Sequence, residues 1–410
     1  MNLTDKEKQM LNGDMGPGTR KAMQMLVAMA KTFDAEKMIP VSRTHVALSG
    51  QEGDTYWCEL LVNGGAKCIV PPTTNPCWDV QTLIRPYHGS VKPKHLAIAY
   101  RTEDVYRRIG AKLTYCCTPE LTGNVPAFGE HVAFSESSAT PYVNSILGAR
   151  SNRESSVSAL ASAVTGVTPL YGLHLDENRK GNMIVHVEAK LKDEYDWSML
   201  GWYIGKYADD RVPVICIPEI QKYGVRPTPE MLLYFTTESS TSGAMPMFHI
   251  AGLTPEAPTV ETALGGNHVQ MELVVTDKNL KETQDEISDG GGKINMILLG
   301  CPHYTYDQLI EVCELIGNRH VHEGVDFWIL TSSTALELAK RSGYYEKLIR
   351  AGINPVPDTC MDEPCFDGFK GKLNMSDSAK CTHYQKRRGL PFVMRRLPEC
   401  IEAAVKGEIA

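Results

Sequence analysis

The sequence predicts an α/β protein of several packed lobes, in which parallel or mixed sheets are covered by helices. In the second half of the chain, apolar strands alternate with amphipathic helices: INMILLG precedes YDQLIEVCELIG, and VDFWIL precedes TALELAKRS. Such alternation indicates a parallel sheet with helical cover. A chain of 410 residues is also longer than one hydrophobic core usually serves. No composition shift marks a boundary between lobes, so residues 1–410 are treated as one region.

The N-terminal part is predicted to begin with two helices. TDKE offers Thr4 as an N-cap with Glu7 three residues later, which is a capping box. Gly13 and Gly16 should end this short helix. From residue 20 to residue 33 the apolar residues recur at helical spacing, so a second helix with one buried face is expected there.

Two short strands are predicted next, each followed by polar or reactive side chains. AKCIVPP reads as a strand ended by its prolines, which brings Thr74 and Asn75 into a loop. In AKLTYCC, Leu113 and Tyr115 alternate as in a strand, and Cys117 follows. Both segments therefore deliver candidate site residues at strand ends.

Composition excludes several classes of protein. Apolar and charged fractions of 42% and 22% are ordinary for globular chains, and no stretch approaches the roughly 20 apolar residues that span a bilayer. The segment MNLTDKEKQM has neither a secretory h-region nor an Arg-rich transit pattern, so we expect a cytoplasmic protein without a membrane segment. Its 12 cysteines are scattered, which favours reduced thiols.

Charge argues against nucleic acid as a partner. The formal net charge is −7, whereas binding to phosphate backbones depends on clustered Lys and Arg. One basic cluster, QKRRGLPFVMRR, is predicted to be a solvated face.

Three separated cysteines, Cys117, Cys301 and Cys360, are each expected near the end of a strand. Ligands of open α/β sheets bind at those ends, so the thiols can meet there. The chain has no C-x-x-C pair, which argues against structural zinc. A lone nucleophile assisted by His303 would leave two of the cysteines unexplained. Three thiolates on an iron-sulfur cluster would instead leave one iron open as a Lewis acid, which is the logic of a dehydratase.

Several long stretches carry a resemblance to a known family. CTPELTGNVPAFGEHVAFSESSATPYVNSILGARSNRE, YGLHLDENR, GCPH, DTCM and MSDSAKCTHY closely resemble the large, catalytic subunit of the aconitase X family. The resemblance covers nearly the whole chain. It implies an aconitase-like fold, an iron-sulfur cluster and hydro-lyase activity, as in the dehydratases of cis-3-hydroxy-L-proline and of mevalonate 5-phosphate.

Matched residue by residue, the resemblance implies that Cys117 in CTPE, Cys301 in GCPH and Cys360 in DTCM are the cluster ligands. Cluster type stays open between 2Fe-2S and 4Fe-4S or 3Fe-4S. The family usually has an aromatic residue where this chain has Cys381, which is therefore read as non-ligating. Cys313 is expected in a helix core, and a role for Cys365 stays open.

The polar residues acquire expected roles from the same resemblance. Arg150 and Arg153 are expected to fork onto a substrate carboxylate or phosphate; the alternative is a buried ion pair with Glu154. The expected catalytic group is Ser137, Arg150, Arg153 and Glu154. The expected substrate contacts are Thr74, Asn75, Ser138, Asn144, Asn152, His174 and Ser332. For the hydroxyl and amide residues the alternative is helix or turn capping. His174, Asp176 and Glu177 are expected to form hydrogen bonds that support the site. The alternative for His174 is a structural histidine whose hydrogen bonds are satisfied within the fold.

One departure concerns a missing part. Fused members of the family carry a small swivelling domain, similar to the aconitase domain that supplies a catalytic serine as base. This sequence has no such portion, so a separate small subunit is expected to supply that serine. The leading expectation is an iron-sulfur-dependent dehydratase of cis-3-hydroxy-L-proline, with mevalonate 5-phosphate as the alternative substrate. A cluster-free relative that binds RNA or regulates, and a cluster-free scaffold, are the alternatives of other classes.

Overall fold

The computed structural model describes residues 1–47, 52–77, 92–288 and 290–409. The chain forms three lobes, here called the first (residues 1–180), second (181–288) and third (290–409), and each contains a parallel sheet. The expected α/β class with helical cover is confirmed. Among the described residues, no helix is both long enough and apolar enough to cross a membrane.

Where the first lobe is described, it contains five short strands: β1 (Met38–Pro40), β2 (Arg43–Val46), β3 (Thr73–Thr74), β4 (Val132–Phe134) and β5 (Val167–Pro169). Strands β3, β2 and β4 form a parallel sheet in that order, and β1 pairs with β5 in antiparallel fashion. The helices of this lobe are Asp5–Asn12, Pro17–Thr32, Glu52–Asn63, Pro93–Ile109, Ala139–Pro141 and Ser156–Thr165.

Local signals at the N-terminus are confirmed. Thr4 caps the first helix in a capping box with Glu7, and Gly13 ends that helix with a left-handed φ of 98°. The second helix, Pro17–Thr32, buries one face, with Ala22 and Leu26 fully covered.

The two strands predicted in AKCIVPP and AKLTY are wrong. The first strand begins only after the prolines, at Thr73, because proline lacks the N–H that a ladder needs. In the second segment Lys112 makes one isolated bridge to Thr73, and Tyr115 has a left-handed φ of 43° that interrupts an extended chain. Thr74 nevertheless holds this segment, since its Oγ1 accepts the Tyr115 N–H at 3.1 Å.

The second lobe is a four-stranded parallel sheet in the order β8, β7, β6, β9. Its strands are β6 (Met183–Val187), β7 (Pro213–Cys216), β8 (His249–Ile250) and β9 (Met271–Val275). Its helices are Glu194–Ala208, Pro218–Tyr223, Pro229–Gly243, Val260–Leu264 and Asp277–Ile287. The helices Glu194–Ala208 and Pro229–Gly243 approach so closely that a Cβ on Gly243 would lie 1.8 Å from the Gly205 carbonyl oxygen.

The third lobe confirms the predicted strand-helix alternation. Its strands are β10 (Gly292–Lys293), β11 (Met296–Tyr304), β12 (Asp326–Thr331), β13 (Ile353–Pro357), β14 (Asn374–Ser376), β15 (Phe392–Met394) and β16 (Glu408–Ile409). Its helices are Tyr306–Ile316, Ser333–Arg341, Tyr344–Arg350, Ala379–Arg387 and Leu397–Lys406. The main sheet has the parallel order β13, β12, β11, β14, β15. The order reverses between β11 and β14, where doubly wound sheets bind ligands.

Strand β11 leaves its regular pairing at this switch point. It pairs with β12 from Met296 to Leu299 and again at Tyr304, with a register shift between them. Gly300 makes the departure possible: its φ is 97°, and a Cβ there would lie 2.0 Å from the Leu330 carbonyl oxygen. The irregular segment contains Cys301 and His303.

Candidate active site

The carboxyl ends of the parallel sheets in the first and third lobes meet. The Cys360 N–H, just after β13, donates to the Cys77 carbonyl at 3.0 Å. Lys380, which follows β14, places its Nζ 3.3 Å from Oε1 of Glu136, which follows β4. Residues that follow β4, β13 and β14, far apart in the sequence, therefore line one common site.

The structure brings the three predicted cysteines together at this place. The thiols of Cys381, Cys360 and Cys117 all lie within electrostatic reach of the Cys301 thiol. Cys117 accepts the His303 backbone N–H at 3.4 Å, and Cys360 accepts the Asp362 N–H at 3.5 Å. Burial raises the pKa of Cys360 to about 12, and it raises those of Cys117 and Cys301 well above their usual value.

The surroundings of these thiols would suit thiolates that hold a cationic group. Buried thiolates need a cation close by, and N–H groups aimed at sulfur are the hydrogen bonds that tune such sites. In the described parts of the chain, no three His, Cys, Asp or Glu side chains are arranged to hold one metal ion.

Glu136 is the hub of the polar part of the site. Its carboxylate accepts hydrogen bonds from Asn75 Nδ2 at 2.7 Å, Ser137 Oγ at 3.2 Å and Ser138 Oγ at 3.1 Å, besides its contact with Lys380. Burial by itself would raise the pKa of Glu136, but Lys380, His45 and these donors lower it to about 2. The carboxylate is therefore ionised and fixed in position.

Lys380 joins this hub to the cysteines. Its side chain is only 14% exposed, and its Nζ also donates to Ser137 Oγ at 3.3 Å. Burial opposes its charge, but Glu136 and the nearby thiols raise the pKa of Lys380 above its usual value. The ammonium group therefore stays charged beside the three sulfurs.

Sequence reasoning missed both Glu136 and Lys380. Glu136 is the carboxylate of the hydroxyl-rich run FSESS, and a carboxylate among so many donors was a usable signal. Lys380 lies in MSDSAKC, where Ser378 caps the helix Ala379–Arg387. Its position one residue after that helix begins, at the end of a parallel strand, was the other signal.

Asn75 continues the network into the first lobe. Its Oδ1 lies 3.2 Å from His45 Nε2, and His45 Nδ1 lies 2.8 Å from Thr73 Oγ1. Burial lowers the pKa of His45 to about 4, so this histidine is neutral near pH 7. The chain of hydrogen bonds fixes the orientation of the Asn75 amide.

The two predicted arginines are separated by strand β4. The backbone of Arg153 forms an isolated β-bridge with Phe134, the last residue of β4, and Arg153 therefore lies near Glu136. Its side-chain Nη1 donates to the Ala244 carbonyl at 3.1 Å. Arg153 forms no ion pair within the described residues. Arg150 lies at the opposite end of β4 and binds Asp176 and the His174 carbonyl. The structure therefore brings only Arg153 to the site.

Four other predicted residues are held in structural contacts. Ser332 caps the helix Ser333–Arg341 through the Ala335 N–H at 3.1 Å. Asn144 and Asn152 fix turns: the first accepts the Ser151 N–H at 2.8 Å, and the second accepts the Leu173 N–H at 2.8 Å. Thr74 accepts the Tyr115 N–H, as described above, and thereby positions the segment before Cys117.

Two further predicted residues also lie outside the hub. His174 Nδ1 lies at hydrogen-bond distance, 2.9 Å, from His131 Nδ1. Burial lowers the pKa of His174 to about 3. Glu154 is buried, which raises its pKa, and it pairs with neither arginine in the described part of the chain. The expected alternative of an ion pair between Glu154 and Arg150 or Arg153 is therefore not observed.

Four other cysteines considered in the sequence have defined surroundings. Cys313 is buried in the helix Tyr306–Ile316, as predicted. Cys365 and Cys381 are fully buried in the same apolar cluster as Cys301. Cys116 points its thiol to Thr118 Oγ1, 3.1 Å away.

The prediction that the cluster QKRRGLPFVMRR is a solvated face is wrong for Arg388. Its side chain is 21% exposed and binds the loop that follows Cys360. The guanidinium donates to the carbonyls of Met361 and Glu363 and to the carboxylates of Asp362 and Asp367. Tertiary contacts with the acidic loop, which composition does not reveal, draw this arginine inward.

Comparisons with known proteins cover nearly the whole chain. Profiles of the aconitase X first, second and third domains match residues 1–177, 181–285 and 294–406. The phosphomevalonate dehydratase large subunit of Thermococcus kodakarensis is 35% identical over 410 residues, which cover 98% of this chain and 100% of that one. The cis-3-hydroxy-L-proline dehydratase of Hypocrea jecorina is 30% identical, and its match covers 99% of this chain and 69% of that protein.

A solved structure gives the same result. The crystal structure of Thermococcus kodakaraensis aconitase X in its holo-form superposes with a TM-score of 0.88 at 32% identity, covering 98% of this chain and 100% of that chain. The relatives named above are dehydratases. The chain belongs to the aconitase X family.

Proposed function

We propose that this chain is the large subunit of an iron-sulfur-dependent hydro-lyase that removes water from a small hydroxy acid. The observation that carries the proposal is the convergence of Cys117, Cys301 and Cys360 beside the buried pair of Glu136 and Lys380. Thiolates with a fixed cation and a fixed carboxylate supply both a cluster site and a polar site for substrate.

The three cysteines would hold the cluster. When bound, the cluster supplies Lewis acidity toward a hydroxyl group. Arg153 is placed to bind a substrate carboxylate, because its guanidinium has no ion-pair partner in the described residues. Glu136 and Lys380 are placed to orient polar substrate groups, with Ser137 between them. Arg150 and Glu154, expected earlier in the catalytic group, then act as structural residues.

Two groups of relatives support a partner subunit. The relatives named as large subunits match this chain over nearly their whole length, whereas the cis-3-hydroxy-L-proline dehydratase of Hypocrea jecorina extends beyond the match. We infer that a separate small subunit completes the enzyme and supplies the serine that removes the C–H proton.

Charge at the site favours cis-3-hydroxy-L-proline as the substrate. Its carboxylate and ammonium groups cancel, whereas mevalonate 5-phosphate carries a carboxylate and a phosphate of about −1.5 to −2. Near the hub, Lys380 is neutralised by Glu136, and Arg153 is the one cation without an ion-pair partner in the part of the chain that the structure describes. Mevalonate 5-phosphate is the second candidate, since the 35% identical relative is named for it.

Activity should depend on the small subunit and distinguish the two substrates. We expect the large subunit alone to be inactive. With the small subunit, we expect kcat/KM for cis-3-hydroxy-L-proline to exceed that for mevalonate 5-phosphate by at least about 100-fold, because the described residues near the hub offer one cation without an ion-pair partner. Product formation measured for both substrates, with and without the small subunit, checks this.

The outcomes separate the claims. A preference for mevalonate 5-phosphate would overturn the substrate assignment and leave the hydro-lyase standing. Full turnover by the large subunit alone would overturn the two-chain arrangement. Conversion of neither substrate by a cluster-loaded complex would contradict the proposed activity on these hydroxy acids.

Iron retention should depend on Arg388, although this residue does not touch the cysteines. Arg388→Met removes the four contacts that hold the loop after Cys360, so we expect iron release to a chelator to be about 10–100-fold faster. The measurement is the rate of bleaching of the visible spectrum under chelator. Arg387→Met, at the exposed neighbouring position, is the control and should release iron at the wild-type rate. Equal rates in the two variants would contradict a positioning role for Arg388.

A further inference from the structure

A small polar cavity lies between the second and third lobes, and the three cysteines are not among its lining residues. Its volume is about 90 Å³, enough for an ion and one or two water molecules. The lining residues used below are Glu194, Tyr195, Tyr234, Tyr304, Glu311 and Asp377.

The lining carries uncompensated negative charge. Arg396, the cation of the lining, is occupied by Asp193 and Asp196. Three acidic side chains of the cavity have no ion-pair partner among the described residues: Glu194, Glu311 and Asp377. Burial and their mutual repulsion raise the pKa of Glu311 to about 7. A partly buried acidic space of this kind is stabilised when protons or another cation neutralise its charge.

Two buried polar atoms of the lining have no hydrogen-bond partner in the described part of the chain. Asp377 is 6% exposed, and its Oδ2 accepts from the hydroxyls of Tyr234 and Tyr304 at 2.5 Å each, while its Oδ1 has no partner. The hydroxyl of Tyr195, also 6% exposed, has none either. Two tyrosines thus hold the Asp377 carboxylate in place with one oxygen available to a ligand.

We propose that this cavity binds a monovalent cation of the size of potassium or ammonium, held by Asp377 Oδ1, Glu311 and the Tyr195 hydroxyl. A divalent ion is disfavoured, because it needs several carboxylates close together, and no such group of three occurs among the described residues. A weakly hydrated monovalent cation accepts neutral oxygens as ligands, as in carbonyl-lined potassium sites.

The cation would join two lobes close to the active site. Glu194 and Tyr195 belong to the second lobe, whereas Glu311 and Asp377 belong to the third. Asp377 comes directly before Ser378, the N-cap of the helix that carries Lys380. A bound cation therefore stabilises the turn that sets the position of Lys380.

Thermal unfolding of the full-length chain tests the proposal without an activity assay. At constant ionic strength set by choline chloride, KCl or NH4Cl should raise the Tm saturably by about 1–3 °C, because a ligand that binds only the folded state stabilises it. Comparing the two salts with NaCl identifies the preferred ion. Glu311→Gln should abolish the rise, and Glu314→Gln, exposed on the same helix, should keep it.

A second measurement covers the case in which Glu311→Gln does not fold. Crystals of the wild-type chain soaked in thallium(I) should show an anomalous peak inside the cavity within reach of Asp377. Identical Tm values in all four salts, together with no peak in the cavity, would mean that only water occupies it and would overturn the proposal. Neither readout depends on dehydratase activity, so this test is independent of the proposed function.

Discussion

Serine at position 117, 301 or 360 is expected to prevent the chain from retaining iron and acid-labile sulfide. Iron-sulfur clusters select soft thiolate ligands, and a serine hydroxyl in the same buried place keeps its proton. We expect each of Cys117→Ser, Cys301→Ser and Cys360→Ser to lower turnover by about 10³-fold or more, since Lewis acid chemistry contributes several kcal/mol to such a reaction. Iron and sulfide content and the visible spectrum of anaerobically purified protein are the measurements.

Matched cysteines elsewhere in the chain provide the controls. Cys216 ends strand β7 in the second lobe, and Cys313 is buried in a helix of the third. Cys216→Ser and Cys313→Ser should retain wild-type iron and colour. Wild-type iron content in any of the three site variants would remove that cysteine from the ligand set. A colourless wild-type protein that cannot be reconstituted with iron and sulfide would contradict the proposal that this chain binds an iron-sulfur cluster.

Replacing Lys380 by methionine should damage both catalysis and stability. The substitution leaves the Glu136 carboxylate buried without its cation, and breaking a buried ion pair in this way costs about 3–5 kcal/mol. Loss of a positioned charge beside the reacting groups should also lower kcat by about 10²–10⁴-fold. Denaturant unfolding and turnover by the complete two-chain enzyme check the two effects.

A double variant separates charge balance from catalysis. Lys380→Met with Glu136→Gln removes both charges, so much of the lost stability should return while activity stays low. The coupling free energy between the two positions should be about 1–3 kcal/mol. Lys386→Met, on the exposed side of the same helix, should leave kcat unchanged. Additive effects of the single variants on stability would show that the two charges are not coupled. Normal activity of Lys380→Met would show that Lys380 has no role in the reaction.

The sequence reveals those features whose cause is local. The alternation of apolar strands and helices predicts β11 to β13 and the helices after β11 and β12, and the capping box at Thr4 predicts the first helix. Cys301 lies close to where the strand-then-cysteine pattern placed it. Such signals act within a few residues of each other, so no knowledge of the tertiary structure is needed.

The most important missed features depend on distant contacts. Glu136 and Lys380 are 244 residues apart, so neither has a partner within its own stretch of sequence. The strand expected around Leu113 fails because Tyr115 adopts a left-handed conformation that the alternation of side chains does not reveal. Asn144 and Asn152 have the polar character of site residues, but they fix turns instead. Ser332 caps the helix that follows it, which is the local alternative that its sequence also allowed.

The distance between Glu136 and Lys380 also has a consequence for synthesis of the chain. At about 5–20 residues per second, a ribosome needs roughly 10–50 s to reach Lys380 after it has made Glu136. During that interval the nascent first lobe must keep the carboxylate hydrated, because its cation does not yet exist. Docking of the first lobe onto the third is therefore a late event in biogenesis. A translation product that stops before β14 carries half of the hub and has no counter-charge for it.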